Sequence, residues 1–198
     1  MDHKGTITLK TERLVLRRFT LDDSEAMFRN FFSDPVATFY SRWETHENAD
    51  TTREFMKQYA MEYENPDYYN WAITEKDYYE PIGRIAVSNM DERVSTADMS
   101  FFIGSAWWHK GYASEALAAV IKYLFTEVGV NRIAGRHDIA NPNSGGVMKK
   151  CGMMLEGVLR QAGKNGNGFV DVCQYAILAE DYFKNLQKRE CEADANRE

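Results

Sequence analysis

Changes in the spacing of apolar residues divide the chain into strands and helices. The clearest change falls within residues 99–117, where Met99, Phe101 and Ile103 alternate with their neighbours as in a half-buried strand. After a turn of small residues and glycine, the apolar positions change to helical spacing. They are Ala113, Ala116, Leu117, Val120, Ile121, Leu124 and Phe125. This stretch predicts a strand, a glycine turn and a helix in succession.

The same spacings predict the remaining elements. Thr20 and Asp23 have the form of a capping box at the start of a helix, and Asn141 followed by Pro142 is typical of another helix start. The predicted elements are a strand within 7–16, helices at 20–33 and 50–64, strands at 69–73, 82–87 and 99–103, a helix at 113–125, a strand at 131–138, a helix at 142–151 and strands at 153–162 and 169–177.

The order of these elements indicates how the strands pair. Three strands in succession form an antiparallel meander. The strand, helix and strand that follow place the segments around Phe101 and Ile133 in parallel, through a right-handed crossover. Residues 163–168 are rich in glycine and lie between two strands, which predicts a hairpin rather than a phosphate loop. The expected fold class is α/β with a mixed central sheet.

Length and composition limit the class of protein. With 198 residues, of which 44% are hydrophobic, we expect a single domain at residues 1–182 and a charged, mobile tail at residues 183–198. No apolar run approaches the roughly 18 residues of a membrane span, and the first residues lack the apolar core of a signal peptide. Cys151, Cys173 and Cys191 are odd in number and lack metal-ligand spacing, so we expect reduced thiols, no metal and a cytoplasmic location.

The net charge narrows the choice of partners. A charge of −6 argues against a nucleic-acid partner, because phosphates require a basic surface. It suits a substrate that carries an amine, since amines arrive as cations. We therefore expect no nucleic acid and no membrane among the partners.

A strand that enters a helix through glycine is suited to binding an anion. The first amides of a helix lack partners, and the helix dipole adds partial positive charge at the same point. Gly111 lets a ligand approach the backbone, and Ala113 continues the row of small residues into the helix. On spacing alone, an ordinary strand–helix connection explains the pattern equally well. The stretch is neither Gly-x-Gly-x-x-Gly nor a P-loop, so the nucleotide-binding fingerprints are absent.

The run Trp107–Leu117 resembles the acyl-CoA pyrophosphate loop of the GNAT acetyltransferases. It is most similar to the branch that acetylates the N-termini of ribosomal proteins, in which Trp-Trp-x-x-Gly-Tyr-Ala-x-Glu-Ala is usual. Gly111 and Ala113 fit the broader pattern, whereas Trp108 replaces the usual Gln or Arg and leaves the contacts with phosphate to backbone amides. Further segments that match the branch are residues 11–17, 131–133, 137–144, 151–157 and 171–178.

The resemblance implies a GNAT fold, with a splayed parallel strand pair and helices on both faces of the sheet. It also implies acetyl-CoA as the co-substrate, with direct transfer of the acetyl group to an amine. The residues expected to bind acetyl-CoA are Phe102, Ile103 and Gly104 along the pantetheine arm, His109, Lys110, Gly111, Tyr112, Ala113 and Ser114 at the pyrophosphate, and Asn141 and Ser144 on the following helix.

Catalysis of this reaction needs a base for the amine and an acid for the departing thiolate. Asp98 stands where the branch usually has glutamate and is the favoured base, although a solvated strand carboxylate has the same pattern. Asp171 and Glu156 are weaker candidates. Some members of the branch carry a different glutamate as the base, and this chain has Gly163 at that position. A non-catalytic acyl-CoA-binding module is therefore an alternative.

Ser144 is the candidate acid, and Asn141 would hold the pantetheine amide, while both also suit helix capping. His137 could relay a proton or contact the substrate, although a strand histidine is more often structural. Cys151 has the position of a buried structural thiol.

The acceptor is expected to be a protein or peptide N-terminal α-amine, with a polyamine or an amino-bearing antibiotic as the alternative. Phe39, Tyr40 and Trp43 are candidates for the wall of the acceptor site, or they cap the core. A homodimer is expected, because aromatic residues are frequent and members of this branch often pair.

Overall fold

A single mixed sheet organises the protein in the computed structural model, which describes residues 1–41, 44–166 and 168–195. Within these ranges the sheet has eight strands in the order β1-β2-β3-β4-β5-β6-β8-β7. The strands are β1 Leu9–Lys10, β2 Leu14–Arg17, β3 Asn70–Glu75, β4 Pro81–Asp91, β5 Thr96–Ile103, β6 Arg132–Asp138, β7 Met154–Asn165 and β8 Gly168–Leu178.

The helices lie on both faces of the sheet. They are α1 Ser24–Met27, α2 Pro35–Thr38, α3 Ala49–Glu62, α4 Tyr112–Tyr123, α5 Pro142–Lys150 and α6 Ala179–Ala195. Both α1 and α4 end in a π-helical turn, Phe28–Phe32 and Leu124–Val128 respectively. Short 3₁₀ turns at Leu21–Asp23 and Ser105–Trp107 precede α1 and the loop before α4. The α/β class, the mixed sheet and helices on both faces are therefore confirmed.

The sheet separates two apolar cores. The larger core packs beneath α4 and α5 and includes fully buried Trp71, Ile85 and Leu117. The smaller one lies on the opposite face and joins Phe31 and Phe32 to residues of α3. Because successive side chains of a strand point to opposite faces, β5 contributes to both cores.

The parallel pair predicted around Phe101 and Ile133 is the β5–β6 pair. Its register joins Thr96 to Arg132 and ends at Met99 and Gly135. Beyond this point β5 continues to Ile103 and β6 to Asp138 without pairing to each other. The two strands thus separate, and this opening defines the position of the candidate site.

The expected boundaries differ from the structure in places where elements are short. The expected opening strand is two strands, β1 and β2, joined by a turn, and α2 is an additional helix. The four residues of α2 are too few to produce a visible period, but Asp34 caps it by accepting a hydrogen bond from the amide of Val36 at 2.9 Å. The Thr20–Asp23 capping box is confirmed, since the Thr20 amide donates to Asp23 Oδ2 at 2.8 Å.

Residues 183–195, which the composition predicts to be a mobile tail, continue helix α6 in the structure. The ring of Tyr182 lies 5.2 Å from that of Phe125, centroid to centroid, so the start of α6 is packed against the end of α4. A helix whose outer face is solvated can carry many charges, so the charged composition does not exclude helical structure. The division into a domain and a tail stays a prediction.

Candidate active site

A large cleft opens where β5 and β6 separate. Its volume is about 1420 Å³, and it is bounded by the two strands, the N-termini of α4 and α5, residues of α2 and the β7–β8 hairpin. The residues expected at the site that line it are Phe39, Tyr40, Asp98, Phe102, Ile103, His109, Gly111, Tyr112, Ala113, Ser114, His137, Asn141 and Ser144. The fold therefore gathers into one cleft residues as distant in the sequence as Phe39 and Ser144.

Two of the expected site residues that the structure describes do not line this cleft. Gly104 is buried against the π-helical turn that follows α1, where an added Cβ would lie 1.9 Å from the carbonyl oxygen of Asn30. Lys110 is exposed, and its carbonyl accepts a hydrogen bond from Arg13 Nη1 at 2.9 Å. Trp43 lies outside the described residues.

The N-terminus of α4 has the features of an anion site. Gly111 is its N-cap residue, with φ of +83° in the left-handed region, and no side chain caps the first turn. His109, two residues earlier, also has a positive φ of +61°. This turn leaves the amides of Tyr112, Ala113 and Ser114 at the edge of the cleft, where the helix dipole is positive. Paired left-handed turns of this kind commonly present amides to anions.

Glu115 fixes this turn to the β1–β2 connection. Its Oε1 accepts hydrogen bonds from Thr11 Oγ1 at 2.6 Å and from the Arg13 amide at 2.8 Å, while Oε2 accepts one from Arg13 Nε at 2.7 Å. Burial alone raises the pKa of the Glu115 carboxyl, but these hydrogen bonds and the Arg13 charge together outweigh burial and hold the pKa below its ordinary value. The carboxylate therefore ties the first turn of α4 to the β1–β2 connection.

The backbone of β5 presents polar groups to the opening. The amide of Gly104 donates to the carbonyl of Ile82 on β4 at 2.9 Å. Because consecutive amides of a strand point in opposite directions, the amide of Ile103 points away from β4, toward β6. The carbonyl of Ile103 points the same way and accepts a hydrogen bond from Trp108 Nε1 at 2.7 Å. Trp108, which replaces the usual Gln or Arg, thus joins the loop before α4 to β5.

Asp98 lies one residue before the last β5–β6 pair, opposite Ala134. It is half-buried, lines the cleft and accepts a hydrogen bond from Asn89 Nδ2 at 3.2 Å. By alternation along β5 it shares a face of the sheet with Phe102, whose ring stacks on Phe31 at a centroid distance of 3.8 Å. The carboxylate is therefore placed at the inner end of the opening, on the face that carries α1 and α3.

His137 lies three residues after Ala134 on a regular strand, so it projects from the face opposite Asp98. Its Nδ1 lies 2.7 Å from the carbonyl oxygen of Asp138, which requires a proton on Nδ1 and makes Nε2 the acceptor of the neutral ring. Within the described part of the chain Nε2 is buried without a hydrogen-bond partner. It packs against Gly145 of α5, where an added Cβ would lie only 2.6 Å from Nε2. The structure does not bring His137 and Asp98 together as a relay.

The start of α5 places two further candidates at the cleft. Asn141 is the N-cap residue, as predicted, and Pro142 occupies the first helical position, but the Asn141 side chain forms no capping hydrogen bond. An amide side chain that does not cap its own helix is available to a ligand. Ser144 is half-buried and lines the same cleft.

The weaker candidates for a catalytic role, Glu156, Asp171 and Cys151, form structural contacts instead. Glu156 pairs with Arg132, with Nη1 and Oε1 2.6 Å apart. Asp171 accepts a hydrogen bond from the amide of Gln161 at 2.8 Å. Burial raises the pKa of the Cys151 thiol to about 12, and its Sγ lies 3.3 Å from the carbonyl oxygen of Ser114. A thiol in this state is a poor nucleophile at neutral pH.

Two contacts of the segment that borders the cleft were not predicted. Ser105 Oγ donates to Asp34, and Tyr40 Oη donates to the carbonyl of Ala140 at 3.1 Å. The Asp34-Pro35 pair is a helix-start signal that could have revealed α2, but the partner residues are distant in sequence.

Across the described ranges no group of three or more His, Cys, Asp or Glu is arranged to hold a metal ion. In the same part of the chain, every helix is too short or too polar to span a bilayer.

Comparison with known proteins agrees with this geometry. Residues 13–154 match the family described as the acetyltransferase (GNAT) domain. An uncharacterized N-acetyltransferase of Bacillus subtilis (strain 168), YoaA, is 32% identical over 171 residues, which cover 86% of this chain and 96% of YoaA. The chain therefore belongs to the GNAT acetyltransferase family.

Two more distant proteins add to the comparison. The ribosomal-protein-serine acetyltransferase of Escherichia coli (strain K12) is 28% identical over 99 residues, covering 50% of this chain and 55% of that protein. The crystal structure of the microcin C7 self-immunity acetyltransferase MccE in complex with acetyl-CoA and AMP has a TM-score of 0.76 at 19% identity, covering 84% of this chain and 93% of MccE. At that identity the second comparison shows the fold alone.

The Glu115 contacts generate a pH-dependent prediction. Since the pKa of Glu115 is lowered by folding from 4.5, its contribution to stability is present above that value and is lost as the pH falls through the folded-state pKa. We expect Glu115→Gln to lower the free energy of unfolding by about 1–3 kcal/mol at pH 7 and by progressively less below pH 4.5. Urea unfolding at several pH values measures this. Glu180→Gln, on exposed α6, is the matched control, and equal curves for Glu115→Gln and the wild type would contradict the assignment.

Proposed function

We propose that this GNAT acetyltransferase moves the acetyl group of acetyl-CoA directly to a primary amine, with a protein or peptide N-terminal α-amine as the acceptor. The observation that carries the proposal is the single cleft in which the uncapped start of α4 and the amide of Ile103 both face the opening between β5 and β6. GNAT acetyltransferases use acetyl-CoA, and the residues present here fit it.

The fit rests on three features of the described structure. The amides of residues 109–114 would bind the pyrophosphate, since the first turn of α4 carries no side-chain cap. The unpaired stretch of β5 offers backbone groups to the pantetheine arm, and Asn141 has a side chain that does not cap its own helix. The extended strand backbone is suited to an amide-containing ligand, which can pair with it as a neighbouring strand would.

Acetyl-CoA supplies an activated thioester, and this chain's residues supply the proton transfers and the stabilisation of charge. Asp98 accepts the proton of the arriving ammonium through water, which frees the nitrogen lone pair to attack the carbonyl carbon. The amide of Ile103 stabilises the negative oxygen that develops. As the carbon–sulfur bond breaks, Ser144 donates its hydroxyl proton to the departing thiolate. It regains a proton through water from the nitrogen, which loses its extra proton as the amide forms. The carbon–nitrogen bond replaces the carbon–sulfur bond, and CoA leaves as the thiol.

An α-amine is favoured over lysine because it loses its proton more easily. The ordinary pKa is about 8 for an α-amino group and about 10.4 for lysine. A half-buried carboxylate that acts through water is better suited to deprotonating an α-amino group than a lysine side chain. The similarity to a ribosomal-protein-serine acetyltransferase also supports a protein acceptor. Phe39 and Tyr40 line the cleft and would form part of the acceptor wall.

Gly163 has a structural reason to replace the glutamate of other members. A Cβ at this position would lie 2.7 Å from Cγ1 of Val172, so a larger residue requires the hairpin to change. The loss of that carboxylate makes Asp98 the remaining candidate base.

An acceptor screen tests the proposed function. Thiol release from acetyl-CoA with an amine panel, followed by mass spectrometry, distinguishes an N-terminal peptide from a polyamine or an amino-bearing antibiotic. Absence of thiol release with every amine would instead support an acyl-CoA-binding module.

We also propose a homodimer formed through β7. This strand lies at the edge of the sheet and exposes apolar side chains, and unpaired apolar edges commonly pair with another chain. The exposed apolar residues of the β7–β8 hairpin are Met154, Leu155, Val158, Leu159 and Phe169.

The three free cysteines support a reducing compartment, and we propose the cytoplasm.

Sedimentation tests the dimer. We expect a species of about twice 22.8 kDa at micromolar concentration and a monomer for Leu155→Glu, because a charge on the edge opposes pairing. Met61→Glu, at an exposed methionine of α3, is the matched control and should remain dimeric. A wild-type monomer, or a dimeric Leu155→Glu, would rule out this interface.

Substitution of Gly111 tests whether the CoA pyrophosphate binds at the start of α4. Gly111→Val should weaken CoA binding at least tenfold, because a branched side chain opposes φ of +83° and displaces the amides. Gly129→Val is the control, since Gly129 has a similar φ of +78° at the far end of the helix, where an added Cβ meets nothing within 4 Å. Calorimetry with CoA measures both variants. Equal affinities in folded Gly111→Val and wild type would place CoA elsewhere.

Asp98 tests the mechanism. Asp98→Asn should lower kcat/KM by ~10²–10⁴ at neutral pH, the usual effect of losing a general base. The deficit should shrink as the pH rises toward the α-amine pKa of about 8, because the acceptor then arrives as free amine. Asp91→Asn, whose carboxylate pairs with Arg93 outside the cleft, should retain full activity. Near-normal activity of Asp98→Asn from pH 6 to 9 would show that water or another group accepts the proton.

A further inference from the structure

A single carboxylate joins the two ends of the turn that opens α4. We call residues 107–112 the α4 loop. Glu75 is the last residue of β3, and its Oε2 accepts a hydrogen bond from Trp107 Nε1 at 3.1 Å. Its Oε1 accepts a hydrogen bond from the hydroxyl of Tyr112, the first residue of α4. The first and last residues of the α4 loop are therefore connected through one side chain of the sheet.

Alternation along β3 places Glu75 on the face of the sheet that packs beneath α4. Ile73, two residues earlier, is buried in the larger core, as is Leu14, which lies opposite Glu75 in the β2–β3 register. Glu75 is half-buried and lies outside the lining of the cleft, whereas Trp107 and Tyr112 line it. The carboxylate can therefore act on a ligand in the cleft through these two aromatic side chains.

The α4 loop has a backbone conformation that needs support. Gly111 has φ of +83° and His109 has φ of +61°, and both lie between Trp107 and Tyr112. A residue with a side chain rarely adopts a left-handed conformation, and it persists there only where the surrounding structure holds it. The amides proposed to bind pyrophosphate are oriented by this turn. Fixing the ends of the turn therefore fixes the directions of its amides.

Tyr112 is held on two sides. The guanidinium of Arg13 lies over its ring, with Cζ 4.7 Å from the ring centroid, and Arg13 Nη1 donates to the carbonyl of Lys110 at 2.9 Å. The hydrogen bond to Glu75 raises the pKa of the Tyr112 hydroxyl above its ordinary value of 10.0, so the phenol is protonated at neutral pH and donates to the carboxylate. Arg13 thus holds the interior of the α4 loop, and Glu75 holds its ends.

We propose that Glu75 is a positioning residue for acetyl-CoA, which joins Trp107 to Tyr112 and so holds the amides of the α4 loop in the arrangement that binds pyrophosphate. This role rests on the acetyl-CoA site proposed above. A carboxylate repels pyrophosphate directly, because both are negative, so its contribution is made through the two aromatic side chains. Loss of Glu75 should therefore weaken ligands that contain the pyrophosphate and spare the pantetheine arm, which would lie along β5.

Calorimetry with three ligands tests this role. CoA carries both the pyrophosphate and the arm, ADP carries a pyrophosphate without the arm, and pantetheine carries the arm without the pyrophosphate. Direct titration yields the Kd of CoA, and displacement by CoA yields the other two. Glu75→Ala should raise the Kd of CoA and of ADP by a similar factor, roughly tenfold, as expected for lost hydrogen bonds to a charged group, with the Kd of pantetheine unchanged.

Glu80→Ala is the matched control. The Glu80 carboxylate pairs with Arg29, with Oε2 and Nη2 2.5 Å apart, and lies outside the lining of the cleft. This substitution also removes an ion-paired glutamate close to the end of β3, but it leaves both contacts of Glu75 in place. Its Kd values for the three ligands should match those of the wild type.

Two further variants separate the bridge from its charge. In Glu75→Gln the amide oxygen can accept from the indole of Trp107, and the amide nitrogen can donate to the Tyr112 hydroxyl, which also accepts. Because both contacts are retained, the Kd of CoA should stay within about threefold of the wild type. Tyr112→Phe removes one contact and should weaken CoA and ADP less than Glu75→Ala does. Combined with Glu75→Ala it should add no further loss, because the two residues share that contact.

The outcomes separate the role of Glu75 from the proposed function. If wild-type protein fails to bind CoA or ADP, the proposed pyrophosphate site is wrong and the positioning role fails with it. If both bind and folded Glu75→Ala keeps the wild-type Kd for ADP, only the positioning role is wrong. Equal weakening of all three ligands also overturns it, because Glu75 would then support the whole cleft. If Glu75→Ala does not fold, a wild-type Kd for ADP in Tyr112→Phe, or a tenfold loss in Glu75→Gln, contradicts the bridge.

Discussion

The separation of β5 from β6 is the constraint on which the rest of the site depends. Each strand is held by a different half of the protein. Strand β5 pairs with β4, and its Phe102 stacks on Phe31 of the π-helical turn after α1. Just beyond the strand, the absence of a side chain at Gly104 lets the carbonyl of Asn30 in the same turn lie against it. Strand β6 pairs with β8 and packs beneath α5, where Gly145 leaves room for the His137 ring. Because neither strand can follow the other, pairing ends at Met99 and Gly135 and leaves backbone groups facing the gap.

Under the proposed function, most of the binding chemistry at this site would come from backbone groups. The uncapped amides of α4 and the amide of Ile103 are properties of chain direction and turn geometry, so they do not require a particular side chain. This explains why Trp108 can occupy a position where Gln or Arg is usual. Instead of contacting phosphate directly, Trp108 bonds the carbonyl of Ile103 and so ties the loop to the strand. Side chains are needed mainly for proton transfer, where Asp98 and Ser144 are the candidates.

The acceptor side of the cleft depends on contacts between remote segments. Residues 34–41, the β6–α5 loop and the β7–β8 hairpin are connected through Tyr40, Ala140, Asp138 and Asn165. Under the proposed function Phe39 and Tyr40 belong to the acceptor wall, so acceptor specificity would depend on this region. A cleft bounded by such surface loops can change its acceptor without changing the sheet beneath it.

The sequence by itself determined the order of the longer strands and helices from β2 to β8, the parallel pairing and the loop that opens α4. These features depend on local periodicity, turn residues and handedness, which act over short distances along the chain. The identity of the family was also readable, because the run Trp107–Leu117 carries the small residues that the loop geometry needs, and Gly111 has the left-handed φ that favours glycine. Asn141 and Pro142 likewise start α5 as their types predict.

Only the tertiary structure decided which side chains share a face and which polar groups have partners. Asp98 and His137 project from opposite faces because of strand register, which no single segment specifies. Glu156 and Asp171 are occupied by Arg132 and Gln161, and Gly104 is a packing glycine rather than part of the cleft lining. The contacts of Asp34 and Tyr40 could not be predicted for the same physical reason. Their partners are 71 and 100 positions away in the sequence, so these contacts exist only once the sheet has brought the ends of β5 and β6 close to residues 34–41.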